Sequence, residues 1–307
     1  MNFSPKIKVL VQGVTEPLGG RHAALMKAYG TNVVAGVSSG YGGQELEGIP
    51  IFDLVEQATA AVGTVDTTLI FEPPYLVLDA AYEAIASGIR QIIIITAGMP
   101  PLDMVRLVRK AEATETLVVG PNCPGIILPG QLLLGTHPTQ LYTPGKVGLI
   151  SCAGTLTYEV ALELTSAGLG QSIGVGIGRD AIVGSSFAQW LQILDEDEKT
   201  QAIVLVGEIA GNGGEEAAAR YIKEAIDKPV VAYMAGQQVP REKLRGHAGT
   251  VIAAQLLAQE GKKKATAIGA DWDLAARKIE VFKGSKIPLA ARPAEIAKLL
   301  KKVLKKK

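Results

Sequence analysis

Short apolar, β-branched runs alternate with stretches of helical periodicity along the first half of the chain. Each run is nearly continuous in apolar character, which is typical of parallel strands that helices cover on both faces. The runs lie at Val9–Val11, Thr31–Val37, Thr68–Phe71, Gln91–Thr96 and Thr116–Val119. This pattern predicts a doubly wound α/β domain with a Rossmann-like parallel sheet.

The second half repeats the alternation with elements of its own. Strands are predicted at Val147–Ile150, Ile173–Ile177, Ala202–Val206 and Pro229–Tyr233. Helices are predicted at Thr155–Ala167, Ser186–Leu194 and Glu215–Ile226. Because the turn residues at 143–146 separate the two patterns, we expect two doubly wound parallel-sheet domains. The first, over 1–146, is Rossmann-like, and the second, over 147–307, is flavodoxin-like.

Composition narrows the classes of function. Hydrophobic residues make up 48% of the 307 residues, charged residues make up 20%, and the formal net charge is +1. These values exclude a disordered chain and a sequence-wide attraction to nucleic acid. No apolar run has the length of a membrane span or of a signal core, so we expect a cytoplasmic protein without membrane or nucleic-acid partners. The only cysteines, Cys123 and Cys152, indicate neither a disulfide framework nor a metal site.

Glycine-rich segments follow the predicted strands of the first domain. The first strand runs into a turn that contains Gly13, Thr15 and Gly19 and leads to a helix. Backbone N–H groups at such a helix start can bind a phosphate, although the spacing departs from Gly-x-Gly-x-x-Gly. A plain glycine-rich connection is the alternative. Later strand exits, at the sheet edge where ligands bind, contain Ser38, Tyr41, Thr96 and the 120–125 run.

Two strand exits of the second domain carry candidate chemistry. Ala153, Gly154 and Thr155 join a strand to a helix, and their N–H groups could hold a phosphoryl group in transfer. An ordinary capped helix start would use similar residues. Glu208 follows another strand, where its carboxylate could orient an imidazole or could simply be solvated.

His247 lies in a Gly-His-Ala-Gly sequence at 246–249 and is one of three histidines in the chain. Its small neighbours leave the imidazole unshielded, and a ring that titrates near neutral pH can accept and deliver a phosphoryl group. A surface histidine without a role is the alternative.

Taken together, these segments resemble the α subunits of succinyl-CoA synthetase over almost the whole chain to about Ile252. The shared motifs are Gly-Pro-Asn-Cys-Pro-Gly at 120–125, Pro-Gly-Lys-Val-Gly at 144–148, Ser151 with Gly-Thr-Leu-Thr-Tyr-Glu at 154–159, Gly-Glu-Ile at 207–209, Lys-Pro-Val-Val at 228–231 and Gly-His-Ala-Gly at 246–249. The resemblance implies a CoA-binding first domain and a ligase domain with a phosphohistidine. It also implies an ATP-grasp β subunit, in a heterodimer or heterotetramer, that binds ATP or GTP with Mg²⁺.

The resemblance also assigns roles to individual residues. His247 would be phosphorylated, Glu208 would orient its ring, and Ala153, Gly154 and Thr155 would cradle the phosphate. The predicted CoA site comprises Gly13, Thr15, Gly19, Ser38, Tyr41, Thr96, Asn122, Cys123 and Pro124. The implied reaction forms succinyl-CoA reversibly from succinate, CoA and a nucleoside triphosphate, a step of the tricarboxylic acid cycle. No metal ligands are expected in this chain.

Several positions depart from the family pattern. The family has a lysine in place of Tyr41, an arginine and a serine in place of Cys152 and Ala153, and Gly-Gly-Asp-Pro where this chain has Gly-Arg-Asp-Ala at 178–181. A related ligase acting on malate, acetate or another carboxylate is therefore an alternative. A diverged CoA-binding regulatory subunit is a further alternative, of a different class.

Overall fold

The computed structural model describes residues 3–208, 214–236 and 278–305. The chain divides into two compact units, of which the first comprises 1–139 with 182–185 and the second comprises 140–181 with 186–307. In chain order the change of unit comes after Thr139, a few residues before the boundary expected from the sequence. None of the helices in the described part of the chain has the length and apolarity that crossing a bilayer requires.

The first unit is built on a sheet of seven strands with the order β3-β4-β2-β1-β5-β6-β7. The strands are β1 (Val9–Gln12), β2 (Val33–Val37), β3 (Glu45–Leu46), β4 (Ile49–Phe52), β5 (Thr67–Ile70), β6 (Gln91–Ile94) and β7 (Leu117–Val119). The helices are α1 (Pro17–Tyr29), α2 (Val55–Val62), α3 (Val77–Ala86) and α4 (Pro101–Ala113). All neighbours pair in parallel except β3, which is antiparallel to β4 at the edge.

The centre of this sheet explains where a ligand can bind. β1 is buried along its whole length, with β2 on one side and β5 on the other. The chain therefore winds outward in both directions from β1, and such a reversal leaves a crevice beyond the carboxyl end of the strand. Small and aliphatic residues of α2, α3 and α4 pack with the sheet in one core cluster, which includes Val55, Ala81 and Leu107.

A hairpin follows the sheet strands of the first unit. Its strands, β8 (Gly125–Leu128) and β9 (Leu132–Gly135), pair antiparallel and are fully buried. His137 lies just beyond, buried, with Nε2 3.0 Å from the carbonyl oxygen of Gly125. Burial lowers the pKa of His137 to about 4. This histidine therefore serves as a neutral core group.

Among its described residues, the second unit has five parallel strands with the order β14-β13-β12-β10-β11. They are β10 (Pro144–Ser151), β11 (Gln171–Gly176), β12 (Ala202–Glu208), β13 (Val230–Ala235) and β14 (Leu289–Ala290). The helices are α5 (Leu156–Ser166), α6 (Phe187–Glu196), α7 (Gly214–Ala225) and α8 (Pro293–Leu304), and residues 278–284 are also helical. This is the flavodoxin-like order, so the predicted fold class is confirmed in both units.

The sequence patterns found the central parallel strands and missed the short edge strands and the buried β8–β9 hairpin. β4 contains Pro50 and β14 has two residues, so neither shows a continuous apolar run. The predicted helices of the second unit agree with α5, α6 and α7 to within two residues at each end. α6 begins with a capping box between Ser186 and Gln189, which fixes its start locally.

Candidate functional site

The turn after β1 is held by two glycines. Gly13 has a φ of +75°, and a Cβ placed there would lie 2.8 Å from the backbone nitrogen of Glu72. A Cβ on Gly19 would overlap the carbonyl oxygen of Gly13. Only glycine at both positions lets the first turn of α1 sit directly on the end of β1. The N-cap residue Glu16 makes no side-chain cap, and Pro17 is the first helical residue, so the helix start presents backbone donors.

The exit of β2 completes this turn. Ser38 is buried, and its Oγ accepts hydrogen bonds from the backbone N–H of Thr15 at 3.2 Å and from Thr15 Oγ1 at 3.0 Å. Asp53, after β4, accepts hydrogen bonds from the N–H groups of Gly40 and Gly42 at 2.7 and 3.0 Å. The structure thus brings the predicted residues Gly13, Thr15, Gly19 and Ser38 to one point.

A cleft of about 690 Å³ opens over this point. It is lined by Gln12, Thr15, Glu16, Pro17, Val37, Ser38, Ser39, Tyr41, Asp53, Leu54, Glu72, Leu76, Asp79, Ala80 and Glu83. None of these described lining residues is a lysine, arginine or histidine, whereas five are carboxylic acids. Burial, followed by the charges of Glu16 and Glu83, raises the pKa of Glu72. Any polyanion bound here must therefore rely on backbone donors and hydroxyl groups.

The other predicted CoA contacts lie at the exits of β6 and β7. Thr96 Oγ1 donates to the carbonyl oxygen of Glu72 at 2.7 Å, and the Asn122 N–H donates to the Thr96 carbonyl oxygen at 2.9 Å. Cys123 is buried, and its Sγ donates to the carbonyl oxygen of Ile94 at 3.2 Å. Thr96, Asn122, Cys123 and Pro124 are not among the residues that line the cleft, although the Thr96 side chain holds the backbone of Glu72, which is.

In the second unit, β10 leads into α5 through the predicted phosphate cradle. Ser151 Oγ accepts hydrogen bonds from the Ala153 N–H at 3.1 Å and from Thr157 Oγ1 at 2.6 Å. Gly154 has a φ of +55°, and Thr155 precedes the helix without making a side-chain cap. The first N–H groups of α5 are thus at the carboxyl end of β10, where the strand order of this sheet also reverses.

Glu208 is the last residue of β12 and lies beside this helix start. Its Oε1 is 3.2 Å from Nη2 of Arg179, and the two side chains are 19% and 37% exposed. A Cβ on Gly154 would lie 2.9 Å from Nη1 of the same guanidinium. Arg179 therefore connects Glu208 with Gly154, and it entered the sequence analysis only as a departure from the family pattern.

A fully buried ion pair fixes the backbone of Glu208 from behind. Nζ of Lys278 is 3.0 Å from Oε2 of Glu215 and donates to the carbonyl oxygen of Glu208, also at 3.0 Å. Oε1 of Glu215 accepts from the Glu208 N–H at 3.1 Å and from Cys152 Sγ at 3.7 Å. Burial, with the charges of Glu215 and Glu208, raises the pKa of Cys152, so its thiol stays protonated. In the β12–β13 register, Glu208 is paired with Ala235.

His247 lies outside the described residues, so the structure gives no distance between its imidazole and Glu208. Across the described ranges, no group of three or more histidine, cysteine, aspartate or glutamate side chains is arranged to hold a metal ion.

Comparison with known proteins identifies the family. Over 260 residues the chain is 44% identical to the succinate–CoA ligase [ADP-forming] subunit alpha 2 of Archaeoglobus fulgidus, a match that covers 85% of this chain and 90% of that protein. It is 41% identical over 300 residues to the corresponding alpha subunit of Aquifex aeolicus, covering 97% of this chain and 92% of that protein. The chain belongs to the succinate–CoA ligase alpha-subunit family.

Two family models match different parts of this alpha subunit. Residues 4–98 match the CoA binding domain family, and residues 150–270 match the CoA-ligase family. The cleft beyond β1 lies in the first match, whereas the start of α5, Glu208 and the sequence position of His247 lie in the second. The chain is also similar to an alpha subunit of a ligase that is named for another acid. The malate–CoA ligase subunit alpha of Methylorubrum extorquens is 40% identical to this chain, covering 97% of it and 96% of that protein.

Solved structures support the fold of this alpha subunit. The ATP citrate lyase of Methanothrix soehngenii superposes with a TM-score of 0.81 at 20% identity, covering all of this chain and 51% of that chain. An acetyl-coenzyme A synthetase of Ca. Korarchaeum cryptofilum gives a TM-score of 0.68 at 21% identity, covering 95% of this chain and 59% of that chain. The chain thus spans little more than half the length of these two structures.

Proposed function

We propose that this alpha subunit catalyses reversible formation of succinyl-CoA from succinate, CoA and ATP or GTP, with His247 as the phosphoryl carrier. The observation that carries the proposal is the position of Glu208 between the two ends of the chain segment that contains His247. Ala235, where the segment leaves β13, is the register partner of Glu208, and Lys278, where it returns, binds the Glu208 carbonyl oxygen. The segment that contains His247 thus leaves and rejoins the described chain at residues that contact Glu208, which favours Glu208 as the carboxylate that orients the imidazole.

The proposed reaction has three displacement steps. An imidazole nitrogen of His247 attacks the terminal phosphorus of the nucleotide, and the nucleoside diphosphate leaves. A carboxylate oxygen of succinate then attacks that phosphorus, which returns the imidazole and forms an acyl phosphate. Finally, the CoA sulfur attacks the acyl carbon, and inorganic phosphate leaves as the thioester forms. The N–H groups at the start of α5 would stabilise the phosphoryl oxygens in the second and third steps.

CoA would bind in the cleft beyond β1 of the first unit. The match to the CoA binding domain family and the backbone donors at the start of α1 support this assignment. Thr15 and Ser38 would contribute hydroxyl groups, and Gly13 and Gly19 would allow a phosphate to approach the backbone closely. Thr96, Asn122, Cys123 and Pro124 would contribute through their loop backbones, because their side chains do not line the cleft.

Membership of an alpha-subunit family implies a second subunit. We propose that the partner has an ATP-grasp fold and binds the nucleotide with Mg²⁺, in a heterodimer or heterotetramer in the cytoplasm. Malate is the second candidate acid, because a malate–CoA ligase alpha subunit is 40% identical to this chain over nearly its whole length. Acetate is a further candidate acid, to be tested in the same assay of thioester formation.

The decisive experiment labels the co-purified complex with ATP or GTP that is radioactive in the terminal phosphate. We expect protein-bound label that survives base and is lost in acid, and that is absent in His247→Asn. His22→Asn is the matched control and should keep the label, because His22 is half-buried and stacked on Phe71 in the first unit. A label that persists in His247→Asn would exclude this histidine as the carrier. Thioester formation with succinate, malate and acetate then identifies the acid.

Hydrogen exchange tests the CoA site separately. We expect CoA to protect the backbone amides of 13–20, and to leave those of the β12–β13 pair unchanged. Equal exchange of the 13–20 amides with and without CoA would remove the assignment.

A further inference from the structure

We propose that Arg179 is a positioning residue of the ligase site, holding the Glu208 carboxylate beside the start of α5. This inference rests on the proposed function, because Glu208 needs a fixed orientation only if it serves His247. Nη2 of Arg179 is 3.2 Å from Oε1 of Glu208, and Glu208 is the less exposed of the pair, with 19% of its side chain accessible. An ion pair to a partly desolvated carboxylate favours the rotamers that keep the contact.

The backbone of Glu208 is held by hydrogen bonds, so the orientation of its carboxylate depends on the contacts of its side chain. Both backbone polar groups of Glu208 are bound by fully buried partners, the N–H by Glu215 and the carbonyl oxygen by Lys278. The carboxylate extends from this rigid point toward the face that Arg179 occupies. Arg179 therefore controls the part of Glu208 that must meet an imidazole.

The absence of a side chain at Gly154 makes room for the guanidinium of Arg179. A Cβ at this position would lie 2.9 Å from Nη1, 3.2 Å from Cδ and 3.3 Å from Cζ of Arg179. Three close approaches along one side chain mean that Arg179 lies against the backbone of residue 154 and would be displaced by any larger residue. The arrangement also adds a positive charge next to the helix start at which the phosphoryl group is proposed to bind.

The test uses the chain with its co-purified partner subunit. In Arg179→Gln we expect the rate of phosphohistidine formation and the kcat of thioester formation to fall about 10- to 100-fold, because orientation of the acceptor is lost. The KM for CoA should not change, since CoA is assigned to the other unit. Arg179→Lys, which keeps the charge, should restore part of the rate. Arg292→Gln is the matched control, because Arg292 makes an exposed ion pair with Glu295, also at 3.2 Å.

Gly154→Ala provides a second test of the same contact. It should lower the same rate, both by displacing Arg179 and by straining the backbone at a φ of +55°, and the Gly154→Ala/Arg179→Gln double variant should be no slower than Gly154→Ala alone, because the Arg179 contact is already lost there. Arg179→Gln with wild-type rates would overturn the inference, and so would a loss of rate that Arg179→Lys does not relieve at all. If His247→Asn abolishes labelling while Arg179→Gln is normal, only this inference fails. If His247→Asn is still labelled, the proposed function itself fails.

Discussion

The two candidate sites of this alpha subunit lie at the same place in the sheet topology but are built from different polar groups. Each follows the strand at which the sheet order reverses, β1 in the first unit and β10 in the second. The first site is made from backbone N–H groups, hydroxyl groups and glycines, and its other lining side chains include five carboxylic acids and no cation among the described residues. The second depends on two ion pairs, Arg179 with Glu208 and Lys278 with Glu215. In the proposed roles, the first site would hold its ligand by shape and backbone donors, whereas the second would meet a group in transfer with paired charges.

The largest effect should come from breaking the buried pair in the second unit. Lys278→Met leaves the Glu215 carboxylate buried without its cation, which we expect to cost about 3–5 kcal/mol of stability. Lys278→Met/Glu215→Leu should recover only part of that loss, because the Glu208 N–H and carbonyl oxygen lose these partners. Hydrogen exchange of the β12 amides, followed with denaturant, measures the second unit by itself.

Glu72→Gln in the first cleft is the contrasting variant. Because Glu72 is repelled by Glu16 and Glu83, neutralising it should cause no loss of stability. A loss as large as that of Lys278→Met would end the contrast between the two sites.

Acid should destabilise the first unit through His137. Its pKa is 6.5 when unperturbed and about 4 when folded, so between these values only the unfolded chain binds the proton. Stability should therefore fall as the pH falls from 6.5 to 4, by about 3 kcal/mol in total, and should lose no more from this group at lower pH. His137→Gln should flatten this part of the pH–stability curve, as measured by denaturant unfolding of the β8–β9 region. An unchanged slope in His137→Gln would show that other groups cause the acid sensitivity.

Gly19→Ala tests the dependence of the first site on shape. The new methyl group would overlap the Gly13 carbonyl oxygen, so α1 must move away from β1, at a cost of about 1–3 kcal/mol. Titration calorimetry should also show CoA binding about tenfold weaker. Gly284→Ala is the control, since a Cβ there meets no atom within 4 Å. Unchanged CoA affinity in Gly19→Ala would place the ligand elsewhere.

The smallest effect should come from adding charge to the first cleft. Tyr41 lines the cleft and is 46% exposed, so Tyr41→Lys should strengthen CoA binding by only a few-fold, about 0.5–1 kcal/mol, and less at high salt. Tyr221→Lys adds the same charge on α7 of the other unit and should leave the affinity unchanged. Weaker binding in Tyr41→Lys would show that the acidic lining requires a neutral residue at this position.

The main architecture could be predicted because its signals are local. Buried strands such as β1 and β12 are continuous apolar runs, and the glycines near them follow from backbone geometry alone. The charged part of the second site could not be predicted in this way. Lys278 and Glu215 are far apart in the chain and have ordinary charged neighbours, so no periodicity marks them as buried partners. Cys123 shows the converse limit, because its motif can be recognised from the sequence whereas the burial of its thiol against the Ile94 carbonyl oxygen cannot.

The double attachment at Glu208 has a kinetic consequence for the proposed carrier. His247 is twelve positions beyond Ala235, and a chain of that length spans at most about 40 Å, which is the upper limit on the distance between the proposed carrier and the end of β13. A linker of this length corresponds to a local effective concentration in the millimolar range. In the proposed reaction, each return of the phosphorylated ring to a bound acid would be an intramolecular event, whose frequency does not depend on how dilute the complex is.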